Sequence, residues 1–141
     1  MEKEKVGPVL EVELQTVPVM FVKAEKGPKG AFQAMQRLEK TIGSPKGRKF
    51  YGTYQNGEWR ANVAIRDGDD PTSLGLERAT IPGGKYAKRK ITNYDEGRLG
   101  EILPEVFDRL AEEYKERVDP ERPSIEFYRS QKELIVMLPI N

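Results

Sequence analysis

Neither cysteine nor histidine occurs anywhere in the chain. Their absence removes disulfides and thiol redox chemistry, the usual zinc ligands, and nucleophile systems built on Ser-His-Asp or Cys-His. Any chemistry must rest on carboxylates, Tyr, Lys, Ser or Thr. An excess of charge of one sign is missing too. Twenty-four Lys and Arg face 23 Asp and Glu, so the electrostatic footprint of a nucleic-acid binder is absent and no direct nucleic-acid partner is expected. Long hydrophobic runs are also lacking. The longest apolar stretches, Val17 to Val22 and Leu134 to Ile140, fall far short of the ~18 residues that read as a membrane span. The mixed charges of Met1-Glu2-Lys3-Glu4-Lys5 lead into no secretory signal. The expectation is a soluble cytoplasmic protein with no cofactor and no bound metal, in one domain over residues 1–141.

What is present is enough apolar material for a core, with five Phe, six Tyr and one Trp, and an internal repeat. The first half, about 11–66, reads as an apolar strand (Val17 to Val22), a Gly-rich break, a helix, and strands around Lys49 to Tyr54 and Trp59 to Ile65. The second half, about 75–141, repeats the order: Leu76 to Ile91 interrupted by Pro82-Gly83-Gly84, a helix, then Ser124 to Tyr128 and Leu134 to Ile140. In this alignment Val17-Pro18 corresponds to Ile81-Pro82, and Phe50 to Tyr54 lies over Ser124 to Tyr128. Asn62-Val63-Ala64-Ile65 then lies over Met137-Leu138-Pro139-Ile140. The fold class that follows is α+β: tandem strand-helix-strand-strand repeats share one antiparallel sheet, with two helices on one face and a pseudo-twofold axis. Arg66 to Ser73, rich in acids and turn formers, reads as the loop joining the halves.

Phe32, Met35, Leu38 and Ile42 form the apolar stripe of the first helix, ended by Gly43-Ser44-Pro45. Leu99, Ile102, Leu103, Val106, Phe107, Leu110 and Tyr114 form a wider stripe in the second. There Pro104 either kinks the helix or marks its true first turn.

Strand alternation in Ser124 to Tyr128 sends Ile125 and Phe127 one way and Glu126 and Tyr128 the other. The apolar pair is expected to meet the helices, which leaves Glu126 and Tyr128 on the face away from them. The last strand is apolar on both faces, so both want cover. The repeat sets Gly52 against Glu126 and Tyr54 against Tyr128, and a missing side chain opposite a carboxylate leaves room. With Trp59, Tyr51 and Phe50 nearby, this predicts an aromatic concavity holding one acid, suited to lipophilic cations and flat ligands.

Pro18, Gly27-Pro28, Phe50-x-Gly52-x-Tyr54, Ile81-Pro82-Gly83-Gly84-Lys85-Tyr86, Glu126-x-Tyr128 and Leu138-Pro139-Ile140 together resemble the GyrI-like small-molecule-binding family, the duplicated effector domain also fused to AraC- and MerR-type regulators. The order and spacing carry the resemblance; no single motif does. It implies a pseudo-twofold domain with a ligand between the repeats and an acid in an aromatic pocket. It also implies relatives that bind drugs or, in some branches, hydrolyse reactive cyclopropanes. Two departures stand out: no DNA-binding domain is attached, and Asn93-Tyr94-Asp95 stands where many members have a second Gly-Pro.

On this reading the ligand-binding residues are Glu126, Tyr128, Tyr54, Trp59, Tyr51, Phe50 and Gly52, and the partner is a small hydrophobic or cationic molecule. Glu126 and Tyr128 would be catalytic only in a hydrolase of strained electrophiles, and a gyrase-inhibitor-type protein partner or a homodimer stays open. Plainer readings compete. Glu126 could pair with Lys132 or Arg129, and Lys85, Lys88, Arg89 and Lys90 read as a solvated edge strand in preference to a phosphate site. Gly27-Pro28-Lys29-Gly30 lacks the Lys-Ser/Thr ending of a P-loop and reads as a turn before a helix. Asp67, Asp69 and Asp70 lack calcium-loop spacing and read as a solvated turn.

Overall fold

The computed structural model describes residues 4–25, 28–44, 46–130 and 132–141. Among the described residues nine strands make one sheet: β1 (Lys5–Val6), β2 (Leu10–Leu14), β3 (Val17–Lys23), β4 (Phe50–Gln55), β5 (Glu58–Ala64), β6 (Glu77–Ile81), β7 (Gly84–Thr92), β8 (Ser124–Tyr128) and β9 (Glu133–Pro139). Every pairing is antiparallel. The spatial order is β7-β9-β8-β4-β5-β3-β6, with β1 and β2 lying one after the other along the free side of β7. Helices α1 (Pro28–Ile42) and α3 (Leu99–Tyr114) and the one-turn α2 (Pro71–Leu74) complete the α+β fold.

The registers obey a twofold. Its axis passes through the middle of the β4–β8 ladder, where Gly52 faces Glu126, flanked by Phe50 facing Tyr128 and Tyr54 facing Ser124. Exchanging the halves carries Tyr54 onto Tyr128. Through the β4–β5 and β8–β9 ladders it also carries Asn62 onto Met137, and Val63 onto Leu138. Two features of the repeat differ from the sequence expectation. A further strand leads each half, β2 in the first and β6 in the second, and each joins the edge of the other half: β2 on β7, β6 on β3. Val17 and Ile81 are consequently facing residues, not equivalents; the twofold carries Val17 onto Gly84 and Ile81 onto Leu14. The pairing preference was invisible because β2 and β6 are only five residues long, and alternation such as that of Leu10 to Leu14 marks a face without naming the partner strand.

This exchange makes the sheet curl, since only two residues link β2 at one end to β3 near the other, and two more link β6 to β7. The curl explains a last strand that is apolar on both faces. Val19, Ile81, Tyr86, Ile125, Ile135 and Met137 pack together on the inner face. The outer face carries both helices, α1 over Met20, Phe50, Ala61 and Val63, and α3 over Ala87, Ile91, Leu134, Val136 and Leu138. Each fully buried aliphatic side chain in these clusters contributes ~1.5–3 kcal/mol, against ~0–1 kcal/mol for an exposed ion pair, so the three clusters hold the fold.

Three local readings change, and the open one at Pro104 is decided. The buried stripe of α1 is Gly30, Ala34 and Leu38, while Phe32 is 57% exposed. Pro104 sits inside α3, which begins at Leu99 after a 3-10 turn, Glu96–Arg98. The connector is not all loop. Asp70 caps α2 with Pro71 in its first turn, Gly75 ends it in the left-handed region (φ 73°), and Asp69 binds Arg48 through two hydrogen bonds of 2.9 and 3.1 Å. Strand β7 is interior, not an edge, because β9 and β1/β2 flank it. Gly27 and Pro45 lie outside the described residues; α1 does begin at Pro28.

Candidate functional site

The site starts from a turn. Asn56 (φ 52°) and Gly57 (φ 79°) both adopt left-handed backbone, the two-residue hairpin geometry whose twist matches its strands. That turn fixes Gln55 against Glu58, hence Tyr54 against Trp59 and Gly52 against Ala61. The Trp59 indole leans back across Gly52, so closely that a Cβ on Gly52 would stand 2.6 Å from the ring. The room left by the missing side chain is therefore taken by Trp59. On the far side of Gly52, across the β4–β8 ladder, lies Glu126.

Glu126 and Tyr128 point to the helix-bearing face, opposite to the sequence expectation. Glu126 faces Val136, which packs under α3, whereas Ile125 and Phe127 belong to the inner cluster. The expectation equated the apolar pair with the helix side. In a curled sheet the inner face is a core in its own right, and there the alternation reads the other way.

The Tyr128 hydroxyl donates to Glu126 Oε1 at 2.6 Å, and Trp59 adds a weaker side-chain hydrogen bond. Both donors are neutral. Among the described residues no Lys or Arg forms an ion pair with Glu126, and Arg129 is held instead by Glu133 at 3.6 Å. Burial pushes the Glu126 carboxyl above its ordinary pKa, against the downward pull of the hydrogen bonds from Tyr128 and Trp59. Burial, together with the neighbouring carboxylate, pushes the Tyr128 phenol well above its ordinary value. Glu126, Tyr128 and Trp59 are nevertheless only partly buried, so the carboxyl lies in a dry place with an opening to solvent.

The opening follows from where the helices sit. Helix α1 packs mainly on β5 and β3 and α3 mainly on β9, leaving the central strands β4 and β8 between them. One flank of α3, with Arg98, Glu101, Glu105 and Arg109, lines an outer cleft beside Glu4 and Arg89. Leu103 and Phe107 of α3 are partly buried against the cluster that Tyr128 also joins, and Met35 of α1 is partly buried against the other cluster that Tyr128 touches.

Of the residues expected at the site, Glu126, Tyr128, Trp59 and Gly52 come together. Phe50 faces Tyr128 on the same floor but is buried under α1. Tyr54 shares that face at the open end, 52% exposed and one pair removed from Glu126. Tyr51 does not join them: it lies on the inner face, stacked on Phe127 with ring centres 4.9 Å apart. Tyr94, buried beyond the end of β7, donates to Ser130 O at 3.3 Å. Sequence reading named Leu103 and Phe107 only as part of the helix stripe and Tyr94 only as a departure from the family pattern, and assigned none of them to the site. The signal for Leu103 and Phe107 was a stripe on α3 wider than contact with one sheet requires.

No family model matches the chain, and no curated protein matches it in sequence. Solved structures do match. An integron cassette protein from the mobile metagenome of Vibrio cholerae superposes with a TM-score of 0.75 at 15% identity, covering 99% of this chain and 100% of that one. A protein solved bound to tetraphenylphosphonium gives 0.65 at 13% identity, covering 95% and 94%. A hydrolase from Listeria innocua gives 0.62 at 15% identity, covering 96% and 92%. At these identities the likeness establishes the fold.

Proposed function

We propose that the chain is a small-molecule-binding protein of the GyrI-like kind, which takes lipophilic cations into the groove between α1 and α3. One observation carries the reading: a desolvated carboxyl whose partners, Tyr128 and Trp59, are neutral. Such a group lacks only a positive charge, and a ligand with aromatic surface brings one while burying against Trp59, Tyr128, Phe107 and Met35. The structural neighbour bound to tetraphenylphosphonium supports the chemistry. The test is calorimetric titration with tetraphenylphosphonium and with neutral triphenylphosphine oxide. Glu126→Gln is expected to weaken the cation about tenfold or more and to leave the neutral compound nearly unchanged; equal loss of both would make Glu126 structural.

A second reading uses the same pair. A carboxyl raised toward neutrality is a better base, and a phenol 2.6 Å away is placed to return a proton to a leaving group. Hydrolase neighbours from Listeria innocua share the fold. Turnover of a strained electrophile by the wild type, abolished in Glu126→Gln while binding of the neutral compound persists, would favour it.

A further inference from the structure

The twofold holds for the backbone but breaks on the inner face of the sheet. In the second half Phe127, Ile135 and Met137 fill the positions facing into the curl. Their equivalents in the first half are Thr53, Arg60 and Asn62. Where the second half has packed apolar side chains, the first has a cleft of about 300 Å³ on the opposite side of the sheet from Glu126.

The polar groups lining it are costly to keep. Asn62 is 2% exposed and Thr53 7% exposed, the only two polar residues among the fully buried ones described. Asn62 Nδ2 donates to Thr53 Oγ1 at 3.1 Å and lies 3.2 Å from the carbonyls of Tyr51 and Arg60. That leaves the Asn62 carbonyl oxygen and the Thr53 hydroxyl hydrogen for whatever occupies the cleft. At the mouth Arg60 is stacked on Phe21 at 4.1 Å and already paired with Glu58, which also holds Lys23 at 3.5 Å. Ile81 and Pro82 form an apolar wall opposite.

We propose that this cleft is a second binding site, for a small uncharged polyhydroxylated molecule of the monosaccharide class. Amide and hydroxyl groups meet its hydroxyls, and the apolar wall meets its C–H face. The charged groups stand at the mouth, where Glu58 lies between Arg60 and Lys23, while the groups buried inside, Asn62 and Thr53, are uncharged, so the interior offers a ligand no ion partner. The volume lies at the lower end of ordinary ligand pockets and limits the ligand to one ring. Polar side chains at the mouth of a curled sheet are otherwise a cost, because their apolar equivalents pack in the other half.

The test fills the cleft with the residues that the chain itself uses across the axis. Saturation-transfer NMR with glucose, galactose, ribose and glycerol is run on the wild type and on the double variant Thr53→Phe, Asn62→Met. Thermal unfolding checks that both fold, and the single variant Asn62→Leu serves if the double one does not. The expected result is transfer to at least one sugar in the wild type, weakened tenfold or more in the filled variant, with tetraphenylphosphonium binding unaltered in both. No transfer to any of the four in the folded wild type, or transfer that survives filling, overturns the proposal. Binding of acetate or ammonium in place of the sugars also overturns it, since the cleft would then be selecting charge.

Discussion

Tyr128 and Glu126, two residues apart on the same strand face, are joined by a 2.6 Å hydrogen bond from phenol to carboxylate. The bond supports the ionised acid and does little for the neutral one. Tyr128→Phe, which keeps the ring, is expected to lose about 1.5–3 kcal/mol of stability where Glu126 is charged and clearly less in acid. Urea unfolding at about pH 5 and about pH 8 makes the comparison. An equal loss at both would place the role of Tyr128 in packing alone.

Glu126→Gln tests the other end of the pair. The folded-state pKa lies above the ordinary value, because burial outweighs the two hydrogen bonds. The stability contributed by the protonated acid is therefore complete below the ordinary carboxylate pKa and is lost as pH rises through the raised one. The variant does not titrate. Its melting temperature is expected to gain on the wild type across that window and to keep a constant lead above it. A bound cation should reverse the sign, since it draws the pKa down, and wild-type affinity for tetraphenylphosphonium should then rise with pH over the same range.

Much of this was legible in the residues. The equivalence of Gly52 with Glu126 and of Asn62 with Met137 follows from matching short motifs, and the registers reproduce both. The side on which Glu126 lies was not legible. Ile125 and Phe127 are apolar and Glu126 is not, but that distinguishes the two faces only when one of them is wet. Here the sheet curls on itself because β2 and β6 pair across the halves, a long-range choice that neither strand records. The Trp59 ring over Gly52 was hidden for a related reason: the Asn56-Gly57 turn sets the register, but the rotamer depends on packing from α1.

Gly52→Ala should show how tightly that ring is set. The added Cβ would stand 2.6 Å from the indole, with sheet on one side and helix on the other. Overpacking of this kind costs about 1–3 kcal/mol, so the variant is expected to melt lower and to shift the emission of the single tryptophan. An unchanged spectrum with unchanged stability would mean that Trp59 has free space to move into.

The strap across the inner core yields to a different substitution. Arg122 stacks on Tyr86 at 4.9 Å, pairs with Asp119 at 2.8 Å and donates to Ile140 O at 2.8 Å, joining the segment before β8 to the end of β9. Its side chain is only 15% exposed, so Arg122→Ala removes the donor to the Ile140 carbonyl and leaves Asp119 with the backbone N–H of Glu121 alone. A clear drop in melting temperature is expected. Arg122→Lys should recover only part of it, because an ammonium cannot stack and fork at once. Full rescue by Lys in thermal unfolding would reduce the strap to a simple charge.

Trp59→Leu replaces the indole with the residue that the twofold puts in its place, Leu134. The substitution keeps apolar bulk over Gly52 and removes the flat ring and its N–H. Loss of a cation–π contact weakens a cation by about 0.5–2 kcal/mol, so tetraphenylphosphonium is expected to bind some two- to thirtyfold less tightly. Triphenylphosphine oxide should also weaken, because it stacks on the same ring. This pattern differs from that of Glu126→Gln, which spares the neutral ligand. If Trp59→Leu instead spared both, the groove would have to be read as a packing seam between α1 and α3, and the carboxyl beneath it as an acid with no ligand to meet.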